Sequence, residues 1–286
     1  MTEIDMAERK FKADLHIHTY YSDGGQSPAD VVAGARRAGV NLISVTDHDN
    51  SNGRHEVREL CKKAGIVAVD GEEISAYEGD VKVHVLAYGM DYSNSAYVKF
   101  NKKLCDGAEE RTFDILKKLS AAKVNISYGE VLRERRCKHS PLHATHIAIA
   151  GARKGYASSP VSFYMRYLNY GEIGFSCICR PAPEETVELI SACGGVSSLA
   201  HPGRISLERE GVIKLAERLK EAGLKGIEAV YSGHTVEETQ YYKDLAEEYG
   251  LLVTGGSDTH YSEGNRRVGT PEFYPDDALL SALKVK

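Results

Sequence analysis

Apolar positions along the chain follow two periods. Short runs such as Asn41–Thr46 (NLISVT), Val81–Tyr88 (VKVHVLAY), Gly195–Ala200, Gly226–Tyr231 (GIEAVY) and Leu251–Gly255 are apolar or alternate, and they predict strands. Phe11 onward and Ile66–Val69 add two more. Between them lie segments of helical period. Ser27 as N-cap with Pro28 at the first helical position starts one that Gly39 ends. Others cover Gly53–Ala64, Glu184–Cys193, Glu208–Ala222 and Val236–Tyr249. Strand and helix in alternation with short turns predict parallel βα units. That rhythm stops from about 91 to 183, where the text is polar and helical, and it resumes at Pro183. The expected organisation is an α/β body of residues 1–90 and 184–286 with a helical insertion, 91–183, as a cap.

At 286 residues the chain can bury a full core. A net charge of −5 argues against a dedicated nucleic-acid binder, which carries a basic surplus. No apolar run reaches membrane-spanning length, and the N-terminal stretch lacks a signal-peptide core. The six cysteines are scattered, as expected of reduced thiols in the cytoplasm.

The chemistry concentrates where strands end. His16 and His18 are two apart in FKADLHIHTYYSDG, so they project together from one strand, with Asp23 in the turn that follows. His48, Glu73, His201, Asp258 and His260 also fall at or just beyond predicted strand ends, and His84 lies within a strand. In a parallel barrel those ends converge on one face. Imidazoles and carboxylates gathered there suit divalent metals, whereas unpaired buried charges would be costly. Asp47 and Asp49 flank His48; a role for Asp47 in orienting that ligand and a simple turn role are both open. His55 and His234 are expected to be plain surface residues, and His146 a buried structural one.

DLHIHTYYSDG, TDHD (Thr46–Asp49), Glu73, His84, AHPGR (Ala200–Arg204) and SDTH (Ser257–His260) together resemble the polymerase and histidinol phosphatase (PHP) family, in order and over nearly the whole chain. The resemblance implies a distorted seven-stranded, TIM-like βα barrel with an inserted helical cap. It also implies two or three divalent ions, with manganese the first choice and zinc or iron alternatives. By position, His16, His18, Glu73 and Asp258 would hold the first metal. Glu73 would bridge to a second held by His84 and His201, and Asp23, His48 and His260 would hold a third. Glu73, Asp23, His48, Asp258 and His260 would then carry catalysis, with a hydroxide held between two metals as nucleophile.

The insertion falls between His84 and His201, where 3′,5′-nucleotide bisphosphate phosphatases of the family and a phosphodiesterase acting on 5-phosphoribose 1,2-cyclic phosphate also carry a cap. The bisphosphatases would have Arg-x-His-Phe-Ala in the cap; here the aligned stretch is Ala144-Thr145-His146-Ile147-Ala148, without the arginine. The expected function is therefore hydrolysis of a small ribose-based phosphate ester, a cyclic diester opened and then dephosphorylated, with the bisphosphatase as alternative. A short-oligonucleotide exonuclease is a further alternative, and a non-catalytic metal-stabilised module is disfavoured by the complete ligand set. The expected partner is a small phosphorylated metabolite, with no stable nucleic-acid complex and no membrane. Cationic phosphate binders are expected at Arg204, then Arg166, Lys138, His139 and His143.

Overall fold

A computed structural model describes residues 10–138, 140–261 and 266–286. Its strands form two sheets. The first has the order β1-β2-β3: β1 (Ala13–Ile17), β2 (Leu42–Val45) and β3 (Val67–Ala68), all parallel. The second runs β4 (Gly71–Glu78), β5 (Val81–Tyr88), β6 (Val196–Leu199), β7 (Gly226–Tyr231) and β8 (Leu252–Gly256). Here β5 is antiparallel to both β4 and β6, while β6, β7 and β8 are parallel.

This differs from a single run of seven parallel strands. The extra strand is β4, and it carries Glu73 inside a ladder, opposite Leu86 of β5, rather than beyond a strand end. Its sequence, GEEISAYE, reads as a polar turn because Glu72 and Glu73 are charged. Both are nonetheless fully buried. Isolated bridges join the sheets at both flanks: Ile17 with Thr259, and His48 with Glu73. The amide of Asp258 donates to the His16 carbonyl at 2.8 Å, and that of Glu73 to the Asp47 carbonyl at 3.2 Å. These two seams lie at the ligand residues themselves, so the backbone that holds the sheets together also holds the site.

Helices form where the caps direct. In α1 (Pro28–Arg37), Ser27 Oγ accepts from the Asp30 amide at 3.1 Å and Asp30 answers the Ser27 amide at 3.0 Å, which satisfies two otherwise orphaned donors. Helix α2 (Arg54–Ala64) ends on Gly65 at φ 70°, a left-handed position that glycine adopts without a Cβ clash. The insertion holds α3 (Ser95–Ala121), α4 (Tyr128–Glu134), α5 (Ala144–Arg153) and α6 (Pro160–Phe163), continued by a π-helical turn over Tyr164–Leu168. Helices α7 (Pro183–Ala192), α8 (Arg209–Glu221), α9 (Val236–Tyr249) and α10 (Asp277–Ala282) follow.

Helix α3 lies wholly within the 91–183 segment, yet it packs against both parts of the chain. Its first half puts Tyr97, Phe100 and Leu104 into the core under β5 and β6. Its second half puts Ile115, Leu116 and Leu119 into a separate cap core with Val131, Ile147 and Phe163. One stiff helix therefore ties the cap to the body. No described helix is long and apolar enough to cross a membrane. The six cysteines are free thiols.

Candidate metal centre

Strand β1 places His16 and His18 on one face, and both are completely buried. Two close backbone approaches make this possible. A Cβ on Gly256 would lie 2.4 Å from His16 Cβ, and one on Gly24 would lie 2.8 Å from the His18 carbonyl carbon, so the chain needs glycine at both. Glu73 comes in from β4, His84 from β5, His201 from the end of β6, and Asp258 and His260 from the segment after β8. His201 at φ 28° and Asp258 at φ 51° hold backbone conformations that non-glycine residues rarely adopt. Strain of this kind persists only where the surroundings impose it, and here it aims two ligand side chains.

The two oxygens of Glu73 face different partners. Oε2 lies 3.0 Å from His16 Nε2, 3.0 Å from His18 Nε2 and 3.3 Å from His48 Nδ1. Oε1 lies 2.5 Å from His84 Nδ1 and 2.9 Å from His201 Nε2. Asp258 Oδ1 completes the first set at 3.2 Å from His18 Nε2. Asp23 Oδ1 lies 3.3 Å from His260 Nε2. The ligand atoms converge in three groups, each within 4.8 Å: His16–His18–Glu73–Asp258, His48–Glu73–His84 and His18–Asp23–His48–His260.

The first group brings together His16, His18, Glu73 and Asp258, the four residues named from sequence for one metal. In the second, His48 stands where His201 was expected, while His201 contacts the same Glu73 oxygen and sits 3.2 Å from His84 Nδ1. In the third, His18 joins the expected trio. His18 and His48 thus lie between groups, a sharing that sequence position cannot express.

These residues fit divalent ions. His16 Nε2, both His18 ring nitrogens, His48 Nδ1, Asp23 Oδ1, Glu73 Oε2, His84 Nε2 and His201 Nδ1 are buried and have no hydrogen-bond partner among the described residues, although several approach one another closely. Buried polar atoms left without proper hydrogen bonds are costly, and convergent ones are the donor set of a cation. Histidine with carboxylate suits manganese, iron or zinc.

The electrostatics agree. Burial alone would lower His16, but Glu228, Glu73 and Asp258 outweigh it and hold it well above its ordinary value. His18 is likewise lowered by burial, yet Asp258 and Glu73 raise it to about 10. Burial would raise Glu73, but His84, His48 and His16 hold it well below the usual carboxylate range. The metal-free cluster therefore keeps a proton on His18 below about pH 10, and a metal must displace it. Affinity for a divalent ion should thus rise with pH across the neutral range, by up to about tenfold per unit per proton released. Calorimetric titration of manganese at pH 7.5, in buffers of different ionisation enthalpy, should show proton release; heats independent of buffer would contradict this.

A surrounding layer fixes the ligands. Glu228, a lone carboxylate in the apolar strand GIEAVY, is completely buried. Its Oε1 pairs with His16 Nδ1 at 2.9 Å and its Oε2 accepts from the His201 amide at 2.8 Å. Asp258 Oδ2 accepts from Arg266 at 2.7 Å and Tyr231 at 2.9 Å. Glu228, Tyr231 and Arg266 were not picked out from sequence; a single carboxylate inside an apolar strand was the available signal for the first.

Asp47 does not orient His48. It accepts from the Thr19 amide at 2.7 Å, Thr19 Oγ1 at 2.6 Å and Ser22 Oγ at 2.6 Å, and so fixes the loop that presents Asp23. Asp49, at φ 51°, pairs with Arg180. His234 is not a plain surface residue: it is half-buried, and its Nε2 accepts from the Gly203 amide at 3.2 Å beside the His201 turn. His55 is exposed and His146 buried, as expected.

Of the expected phosphate binders, Arg204 reaches the cluster, with Nη1 2.9 Å from Tyr231 Oη and 3.4 Å from Asp258 Oδ2. His143 is buried with its ring 5.7 Å from that of His48. Arg166 is exposed and covers the Tyr167 ring at 5.1 Å, and Lys138 is exposed on a turn. His139 lies outside the described residues. The cap does touch the site elsewhere: Thr145 Oγ1 donates to Asp23 Oδ2 at 2.9 Å.

Comparison with known proteins agrees with this geometry. A model described as the PHP domain matches residues 14–158. A 3′,5′-nucleoside bisphosphate phosphatase of Chromobacterium violaceum is 29% identical over 92% of each chain. A phosphoribosyl 1,2-cyclic phosphate 1,2-diphosphodiesterase of Eggerthella lenta is 30% identical over 86% of this chain and 93% of its own. A 5′-3′ exoribonuclease of Haemophilus influenzae is 30% identical over 88% of this chain and 91% of its own. Among solved structures, a candidate metal-dependent phosphoesterase from Bifidobacterium adolescentis superposes with a TM-score of 0.85 at 27% identity, over 96% of each chain.

Proposed function

The chain belongs to the PHP family of metal-dependent phosphoesterases, and on that premise we propose that it hydrolyses a small ribose-based phosphate ester, with 5-phosphoribose 1,2-cyclic phosphate as the leading substrate. The observation that supports a multi-metal hydrolase is the division of Glu73, whose two oxygens face two separate imidazole sets. Divalent ions held there, manganese by preference, would supply charge neutralisation and a more acidic water.

The chain's own residues do the rest. Glu73, His16, His18 and Asp258 define one wall of the site, and His84 and His201 another. Asp23, His48 and His260 form a further group to which the departing ester oxygen can be directed. Arg204, already turned towards Asp258, offers its free donors to phosphoryl oxygens. Thr145 of α5 donates to Asp23, so the cap contacts this group directly, as a cap admitting only short substrates would. The Asp23–His48–His260 group, separate from the residues that contact Glu73 Oε1, would suit a diester cleaved before a monoester, since the departing oxygen of a diester would need its own partner.

The 3′,5′-bisphosphatase reading remains as the alternative, supported by the Chromobacterium relative. The Haemophilus exoribonuclease keeps a 5′-phosphorylated RNA end in view. A phosphorus NMR time course with manganese separates them. Ribose 1,2-cyclic phosphate 5-phosphate, adenosine 3′,5′-bisphosphate and a 5′-phosphorylated tetraribonucleotide would be run side by side. Ring opening followed by phosphate release is expected for the first. Rapid turnover of the bisphosphate or the oligonucleotide beside an inert cyclic ester would reject this choice.

A further inference from the structure

Three cations from distant parts of the chain gather beside the metal-ligand cluster. Lys82 is on β5, two residues before His84 and on the same face, roughly 7 Å along the strand. Arg111 is in the middle of α3, and Arg180 lies between the cap helices and α7. Arg111 and Arg180 are in electrostatic range of each other, as are Arg180 and Lys82, with the Tyr77 hydroxyl near both Arg111 and Lys82. Tyr164, on the π-helical turn of the cap, is also in electrostatic range of Lys82.

The arrangement is unbalanced. Arg111 is only 5% exposed and the Arg180 side chain only 6%. Asp49 pairs with Arg180, but it is one carboxylate against three cations, and Glu73 is committed to imidazoles. Arg111 Nη1 and Arg180 Nε are buried without a hydrogen-bond partner among the described residues. A buried guanidinium with idle donors is costly unless an anion completes it. Guanidinium groups with an ammonium match the oxygens of a phosphoryl group. Asp49 also ties this cluster to the metal centre, since its neighbours include both Arg180 and His48.

We propose that Arg111, Arg180 and Lys82 form a second phosphoryl subsite, which grips a non-reacting phosphomonoester of the substrate while the ester to be cleaved lies against the histidine–carboxylate cluster. The proposal deepens the phosphoesterase reading and rests on it for the word substrate. It restricts the class to compounds with two phosphoryl groups held a short ribose apart.

Binding and turnover test it separately. Chelator-treated full-length protein is titrated calorimetrically with inorganic phosphate. The parent should bind, and Arg111→Met and Lys82→Met should each weaken binding about tenfold or more. Lys82 is exposed, so its variant keeps the test decisive if Arg111→Met fails to fold. Lys62→Met, a surface cation at the end of α2, reports any general charge effect and should change nothing. In the manganese-loaded enzyme, Lys82→Met should raise KM about tenfold for whichever ribose phosphate turns over. Its kinetics on p-nitrophenyl phosphate, which has one phosphoryl group, should stay within about threefold of the parent. Unchanged phosphate binding in both variants, no binding by the parent, or equal losses on both esters would each overturn the subsite. A parent that binds phosphate through these residues yet hydrolyses no ester would leave the subsite standing and remove the phosphoesterase reading instead.

Discussion

Glu73→Ala is expected to lose at least one equivalent of divalent metal and on the order of 10³-fold or more in kcat/KM, about 4 kcal/mol of transition-state stabilisation. Glu73 is completely buried, and no other described carboxylate touches both imidazole sets. Its removal leaves the His16–His18–His48 set and the His84–His201 set facing each other with no anion shared between them. Breaking a buried charge cluster from one side costs several kcal/mol of stability, typically ~3–5. Loss of fold must therefore be separated from loss of metal. Glu73→Gln keeps the volume and removes the charge, so it should stay folded by circular dichroism while still losing metal by elemental analysis. Full metal occupancy in a folded Glu73→Ala would sink the bridging role. Treatment of the parent with chelator should reproduce the inactivity, and manganese should reverse it.

Glu228→Leu should be the most damaging change outside the ligands themselves. Glu228 holds the far nitrogen of His16 and the backbone amide of His201, so it fixes one ligand from each side of Glu73. Partners of this kind typically govern metal affinity by ~10- to 100-fold. Leucine would also leave two buried donors unpaired, at ~1–3 kcal/mol each. Gln retains one carbonyl acceptor and should recover part of both losses. The informative measurement is activity against manganese concentration: the curve should shift to higher metal in both variants and approach the parent at saturation in Glu228→Gln. An unshifted curve in Glu228→Leu would show that His16 and His201 need no such support.

The two predictions involve different kinds of knowledge. His16 and His18 were legible in the chain because a strand has a period of two, and the pair stands on one face whatever surrounds it. The loop carboxylate Asp23, the HD pair at His48 and the SDTH stretch were legible for a related reason. The latter two end buried apolar runs and Asp23 lies in the turn after one, and strand ends in α/β folds converge. The capping boxes at Ser27 and the glycine stop at Gly65 are local hydrogen-bond and φ requirements, which need no tertiary context.

Other features required the folded chain. Strand β4 was hidden because Glu72 and Glu73 look like solvent-facing charges; imidazoles from or just after four other strands make the burial of Glu73 tolerable, and the Tyr97 hydroxyl of α3 that of Glu72. Adjacency to His48 leaves the role of Asp47 open; the fold decides it, because its three donors come from a loop some 25 residues earlier in the chain. His234 gained its role from the Gly203 amide across a turn. Lys82, Arg111 and Arg180 carry no motif and no shared period, so their meeting is a product of the tertiary fold. The kinds of ligand and the strands that carry them are local properties, decided by backbone period and cap chemistry. Which atoms share a cation, which carboxylate supports which imidazole, and where idle guanidinium donors accumulate are long-range properties. They are decided by packing, because burial makes every unpaired charge find a partner that adjacency in sequence does not specify.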